Sequence, residues 1–262
     1  MFRKFTLVSL LFIQAQCLFS QQAKPSLRLE FQVKPSFGFN LPTSKLLKGD
    51  ATDHLISYDD QSYYLQFIGL ALFFDKHWGV EFNFQGNSSG RKSNRDQQFL
   101  QAMQTEYESN FYVTPSTGAS NKGSNFFSGD IERGFLGVIY RLESNRFFFY
   151  PKAAIGITSF YADWGSAYLK EKNANNVVLV DYRADKIPQD HFIVAGSASF
   201  GYKFTKHLYL NVDAIFSYYK VNVSYTKTIT NLNSKLSTVE NINYKKGMPG
   251  VSVGAGFIVS LK

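Results

Sequence analysis

Cysteine is almost missing from this chain: its 262 residues hold one, Cys17, which excludes an internal disulfide and a thiolate metal site. Long apolar runs are scarce too. After residue 20 no hydrophobic stretch approaches the roughly 20 residues that a spanning helix needs. No P-loop, dinucleotide fingerprint, HExxH or nucleophile elbow occurs. Gly254-Ala255-Gly256 superficially resembles a phosphate loop, but it lies mid-strand with no helix after it and reads as packing. The four histidines, His54, His77, His191 and His207, never fall at metal-ligand spacing on one strand. No metal, cofactor or catalytic residue is assigned, and the chain is expected not to be an enzyme.

What the chain does have is alternation. Phe192, Val194, Gly196, Ala198, Phe200, Tyr202 and Phe204 alternate with Ile193, Ala195, Ser197, Ser199, Gly201 and Lys203. After Thr205-Lys206-His207, Leu208, Leu210, Val212, Ala214, Phe216 and Tyr218 alternate with Tyr209, Asn211, Asp213 and Ser217. Period two means extended strands, and three intervening residues suit only an antiparallel hairpin. One face is greasy and aromatic. The other is small and weakly polar, without the Lys, Glu and Thr of a solvated sheet. Small residues suit the cramped inside of a narrow barrel whose greasy side faces lipid. Aromatic residues at 17%, with 26 Phe and 16 Tyr, fit strands and membrane-interface belts.

The N-terminus reads as an address. Arg3 and Lys4 precede an apolar segment from Phe5 to Ile13, and Ser20 stands before Gln21. A basic start, a short apolar region and a small residue at the cut describe a secretory signal peptide over 1–20. Gln14 and Gln16 sit where a lipoprotein signal wants apolar and small residues, so Cys17 is not expected to carry lipid. Losing Arg3 and Lys4 leaves 26 of 28 basic residues against 20 acidic ones, a net charge of +6. These basic residues are scattered, which does not describe a nucleic-acid footprint. Arg91, Lys92 and Arg95 form the one cluster; lipopolysaccharide phosphate is the anion it would meet at a cell surface, and a solvated loop tip is the plainer alternative.

Over 21–262 the alternation predicts an all-β fold: an eight-stranded antiparallel up-and-down transmembrane β-barrel with long loops at one end. The first strand sets Leu27, Leu29, Phe31, Val33, Phe37 and Phe39 against Arg28, Glu30, Gln32, Lys34 and Ser36, with a bulge expected at Pro35. In the second, Ile68, Leu70 and Leu72 are placed outward, which puts Gly69 and Ala71 inside. The last alternates Val251, Val253, Ala255, Phe257 and Val259 with Ser252, Gly254, Gly256 and Ser260. Short turns centre on Lys76, Ser144 and Lys206. Long connections span 42–61, 86–129, 161–190 and 223–248. Within them Phe99 to Tyr112 fits either a short helix or a strand extension, and Val177–Tyr182 fits an extra strand. A soluble lipocalin-like barrel has the same rhythm but the opposite polarity.

Eight strands, one-sided long loops and an ending on the final strand resemble the small outer-membrane barrels of the OmpA and OmpX kind. The Phe19-Ser20-Gln21 signal end and the abundance of Asn, Lys and Phe are similar to the PorT-like outer-membrane barrel proteins of Bacteroidetes. Family members commonly end on an aromatic residue, and Phe257-Ile258-Val259-Ser260-Leu261-Lys262 departs from that. Phe257, Val259 and Leu261 would then be what the barrel-insertion machinery reads.

The expected function is that of a structural or interaction barrel in the bacterial outer membrane. Its loops 86–128, 161–190 and 223–248 would bind lipopolysaccharide or a protein partner, since long loops on a rigid scaffold carry binding. A small channel or ligand carrier is the alternative, and a lipid-A-modifying acyl hydrolase or transferase a further one. Eight strands leave an interior that side chains fill, and the inward parity carries Arg28, Glu30, Lys34, Glu81, Arg133, Arg141, Lys152, Lys203 and Asp213. Charges in so narrow a space must pair. Salt bridges centred on Glu30, Glu81 and Asp213 are expected to plug the lumen.

Overall fold

The computed structural model describes residues 30–41, 51–55, 62–89, 95–116, 131–160, 164–185 and 189–261. The signal segment, Arg28, Arg91 and Lys92 lie outside the described residues.

Thirteen strand segments, not eight, form one antiparallel sheet. They are β1 (Glu30–Val33), β2 (Ser36–Leu41), β3 (Ser62–Phe73), β4 (Trp78–Ser89), β5 (Phe111–Pro115), β6 (Ile131–Tyr140), β7 (Leu142–Glu143), β8 (Phe147–Phe160), β9 (Gly165–Glu171), β10 (Val177–Ala184), β11 (Gln189–Lys203), β12 (Leu208–Asn231) and β13 (Ser237–Leu261). Two of the extra segments are interruptions. Pro35 has no N–H to give a ladder, so β1 and β2 are separate pieces of one run with unbroken parity. Arg141 separates β6 from β7 because its N–H turns to the carbonyl of His77 instead. The other three, β5, β9 and β10, stand in stretches expected to be loops.

Followed from neighbour to neighbour, the pairings return to their start. The β1–β2 run lies between β13 and β3. From β3 the path runs through β4, β6, β8, β11 and β12, and β12 pairs with β13. The enclosed face holds the buried polar residues of the wall together with apolar side chains at its two ends, while the outer face is apolar, the reverse of a water-soluble sheet. On the β11–β12 hairpin Phe200 is 56% exposed, while its neighbour Ser199 is 1% exposed. Phe192, Leu210, Val212 and Phe216 share the outer face; Asn211, Asp213 and Ser217 are buried. On β3, Ile68 is exposed while Gly69 and Ala71 are buried, with a register shift between Gln66 and Ile68.

Glycine makes room inside. Gly38 and Gly254 pair across β2 and β13, beneath the ring of Tyr64, which would come within 2.6 Å of a β-carbon on Gly38. The glycines around Ala255 are thus seats for inward side chains.

Above this sheet rises a second layer. Beyond Tyr219, β12 leaves β11 and pairs with β10; β9 and β5 extend the row. Helix α1 (Arg95–Tyr107) packs against it, together with a short 3-10 turn, Ala51–His54. The stretch Arg95–Tyr107 has neither Gly nor Pro, and Phe99 and Met103, four apart, form its buried stripe. Residues 223–248, expected as a loop, are mostly strand: β12 continues to Asn231 and β13 begins at Ser237. Residues 161–190 hold β9 and β10, and 86–128 holds the end of β4, α1 and β5.

Candidate functional site

The enclosed face stacks three kinds of residue. At the short-turn end lies an apolar floor of Phe73, Ile139, Phe148, Tyr150, Tyr209 and Ile258. The rings of Phe148 and Tyr150 are 4.5 Å apart, and those of Phe148 and Tyr209 5.7 Å. Two ion pairs border this floor. Arg141 reaches Glu30 at 2.6 Å, with its guanidinium 4.1 Å from the Phe73 ring centre. Lys203 reaches Glu143 at 2.6 Å. Glu30 also accepts hydrogen bonds from Ser260 and Gln32, and Tyr150 donates to Glu143.

Above the floor sits a four-charge cluster. Glu81 on β4 accepts from Lys34 at 2.5 Å and from Lys152 on β8 at 3.0 Å. Lys152 also faces Asp213 on β12 at 3.6 Å. Ser199 and Asn211 donate to the same Asp213 carboxylate. Two ammonium groups meet two carboxylates, so the cluster is neutral, and Lys34 and Glu81 are each only 4% exposed. Each group has an opposite charge beside it and further hydrogen bonds, the arrangement that offsets the cost of burying charge.

The expected lumen residues therefore separate into groups. Glu81, Lys34, Lys152 and Asp213 come together; Glu30 and Arg141 form their own pair. Lys203 pairs with Glu143, a residue beside the turn centred on Ser144. Period two continued through Arg141, Leu142 and Glu143 would have placed Glu143 inward. Arg133, higher up, lies over the Tyr219 ring, 5.9 Å from its centre. His77 and His207 tie the short turns to the carbonyls of Arg141 and Ser260. Arg95 opens α1, and Arg91 and Lys92 lie outside the described residues. Among the described residues, no three His, Cys, Asp or Glu side chains converge as a metal set, and no helix is long and apolar enough to cross a membrane.

The top layer is a cap with a conventional core. Phe99, Met103, Leu55, Ala167, Leu169, Val180, Tyr182, Val221, Val223 and Tyr225 pack together, and the same cluster includes Phe135, Ile193 and Tyr219 from the enclosed face below. The sequence allows a helix or strand within Phe99–Tyr112 and an extra strand at Val177–Tyr182, which the structure fills with α1, β5 and β10, but it does not show that these pieces join into a cap. Lys227 fastens α1 to the sheet. Its ammonium lies 5.6 Å from the Tyr107 ring centre, 5.3 Å from that of Tyr182 and 3.5 Å from the Glu106 carboxylate. Burial works against that charge, yet hydrogen bonds to the two phenols hold Lys227 above the ordinary lysine range. The hairpin tip beyond the cap carries Leu232, Leu236 and Val239, with Leu236 73% exposed.

No protein-family model matches the chain, and no curated protein matches it. A crystal structure of a major outer membrane protein from Thermus thermophilus is similar over 89% of this chain and 100% of that one, at 10% identity and a TM-score of 0.40.

Proposed function

We propose that this chain is an outer-membrane β-barrel whose wall spans the bilayer, whose lumen is sealed, and whose cap is a binding surface outside the membrane. One observation carries the reading. Along the outer face of β12–β13, five apolar pairs follow one another: Leu208 with Val259, Leu210 with Phe257, Val212 with Ala255, Ala214 with Val253, and Phe216 with Val251. Tyr218 with Pro249 comes next, and then Lys220, Asn222, Ser224 and Thr226 take over the same face. Leu208 to Tyr218 is about 33 Å of strand; tilted by about 40°, that is about 25 Å of height, the thickness of an outer-membrane apolar band. At the lower border Trp78, Tyr140, Phe147, Tyr202 and Phe204 supply an aromatic girdle, with Trp78 and Tyr140 4.7 Å apart.

The sealed lumen follows from filling. An aromatic floor, a neutral ionic layer and the apolar base of the cap succeed one another, and eight wall strands leave little more room than side chains occupy. This favours an interaction protein of the OmpA-like or PorT-like kind over a channel or a lipid-A-modifying enzyme. Its partner, lipopolysaccharide or another protein, would meet the raised β12–β13 hairpin, α1 and β5. The leader 1–20 would export the chain for the barrel-insertion machinery.

Protease applied to intact cells tests the topology. Cleavage is expected near Leu232–Leu236, with the turns at Lys76, Ser144 and Lys206 spared until the cells are permeabilised. Cleavage at those turns on intact cells inverts the reading. Purified protein in a planar bilayer should give no steady conductance, and large stable openings would replace the sealed lumen by a channel.

A further inference from the structure

Just above the apolar band, one patch of the outer wall belongs neither to the band nor to the packing of the cap. Lys220 on β12 is paired with Gly247 on β13, and the next outward pair is Asn222 with Lys245. Lys220 and Lys245 are therefore diagonal neighbours on one face, ~7–8 Å apart at the backbone. Both are exposed. Gly247 leaves a gap beside them, and Tyr218 leans up into it: a β-carbon on Gly247 would lie 3.0 Å from the tyrosine ring and closer still to its hydroxyl. Lys220, Lys245 and the Tyr218 hydroxyl, which covers Gly247, thus share one patch of the outer face.

Two carboxylates of the flanking segments accept hydrogen bonds from hydroxyls. Asp185 accepts from Thr226 at 2.9 Å, three pairs higher, and Asp190 accepts from Ser159 at 2.6 Å. Asn241 and Asn243, the nearest outward neighbours above, are neutral; Asn243 accepts from Ser224 at 2.5 Å. Between Phe216 and Thr226 on β12, and between Asn241 and Val251 on β13, there is no acidic residue, so these two strands bring only positive charge to the patch, and it sits where the apolar wall ends.

We propose that Lys220, Lys245 and Tyr218 bind the phosphate of a phosphorylated glycolipid of the lipid A type in the outer leaflet. The inference rests on the membrane reading above and names a ligand and residues for it. The acyl chains would lie along Phe216, Val251 and Val253, all on the outer face below the patch. That height brings the lipid phosphate to the two ammonium groups, where charge-assisted hydrogen bonds replace those the phosphate makes to water.

Native mass spectrometry of the purified full chain in a neutral detergent, titrated with diphosphorylated lipid A, tests the proposal. The wild type should hold one lipid A, and Lys220→Gln/Lys245→Gln should bind it about tenfold more weakly or worse. Lys76→Gln/Lys206→Gln, at the opposite end, should match the wild type, and Lys220→Arg/Lys245→Arg should keep most of the affinity. Dephosphorylated lipid A should bind the wild type and the Gln pair equally weakly. Undiminished binding by the Gln pair overturns the site, as does equal affinity of the wild type for the dephosphorylated lipid or displacement by excess inorganic phosphate. If the Gln pair fails to fold, the Arg pair and the dephosphorylated lipid still decide. A wild type that does not insert into vesicles sinks the membrane reading itself, whereas one that inserts but ignores lipid A sinks only this site.

Discussion

Between Leu208 and Tyr218, β12 turns leucine, valine and phenylalanine outward and asparagine, aspartate and serine inward; between Lys220 and Thr230 it turns lysine, asparagine and threonine outward and valine and tyrosine inward. The backbone is one continuous strand with one parity. Only the identity of what each face meets has changed. On the proposed membrane reading the lower outer face meets lipid and the upper outer face meets water. The crowded lower interior takes polar groups in mutual pairs, and the upper inner face packs with α1. A strand that serves two solvents must exchange its residue types where it passes between them, and here that exchange falls at Tyr218–Val221.

The comparison can be tested by making the same chemical change on both sides of that border. Removing one carboxylate charge should have the largest contrast. Glu81→Gln strips Lys34 and Lys152 of their shared partner and should cost about 3–5 kcal/mol. Glu106→Gln, at the half-exposed contact with Lys227, should cost under about 1 kcal/mol. Urea unfolding in lipid vesicles measures both, and equal losses would erase the distinction between the two interiors.

Adding a charge to the outer face comes next. Val212→Lys should cost about 2–4 kcal/mol in vesicles if the site lies near mid-bilayer, whereas Asn222→Lys should change stability by less than about 0.5 kcal/mol. Heat-modifiable gel migration reports whether each variant folds. Equal tolerance at both positions would mean that lipid does not surround the lower wall.

A cavity in the cap sharpens the contrast in cooperativity. Met103→Ala should remove about 2–3 kcal/mol from the packing of α1, and the loss should appear as local opening. Hydrogen exchange should accelerate in 95–115 and 165–184 while β11 and the lower part of β12 keep their protection. Uniform acceleration throughout would show that cap and wall unfold as one unit. The smallest effect is expected at the rim: Lys203→Met, whose partner Glu143 is partly exposed, should cost about 1 kcal/mol or less and weaken further in salt.

The alternation in 192–218 is enough by itself to specify strands, an antiparallel hairpin and which side carries Phe200, because side-chain direction in a strand is a local consequence of backbone geometry. Short-range volume arguments likewise placed Gly69 and Ala71 inside. Nothing local distinguished β12 beyond Tyr219 from a loop. Asn, Thr and Lys carry turn and surface tendencies, and their alternation with Val221, Val223 and Tyr225 becomes visible only when polarity is allowed to invert along one strand. The helical stripe of α1 rests on two buried residues, too few to outweigh a strand extension until the sheet it packs on is in place. Ion-pair partners were the least legible. The inward parity of Glu30, Glu81, Lys152 and Asp213 follows from period two. That Lys34 and Lys152 share Glu81, while Lys203 is taken by Glu143, depends on strand stagger across the closed ring of pairings, and no run of neighbouring residues encodes that distance. The sequence by itself determined strands, faces and polarity, since those are set by residues two apart. The tertiary structure decided the partners, the cap and the height at which the wall changes its surroundings, since those are set by residues brought together from remote parts of the chain.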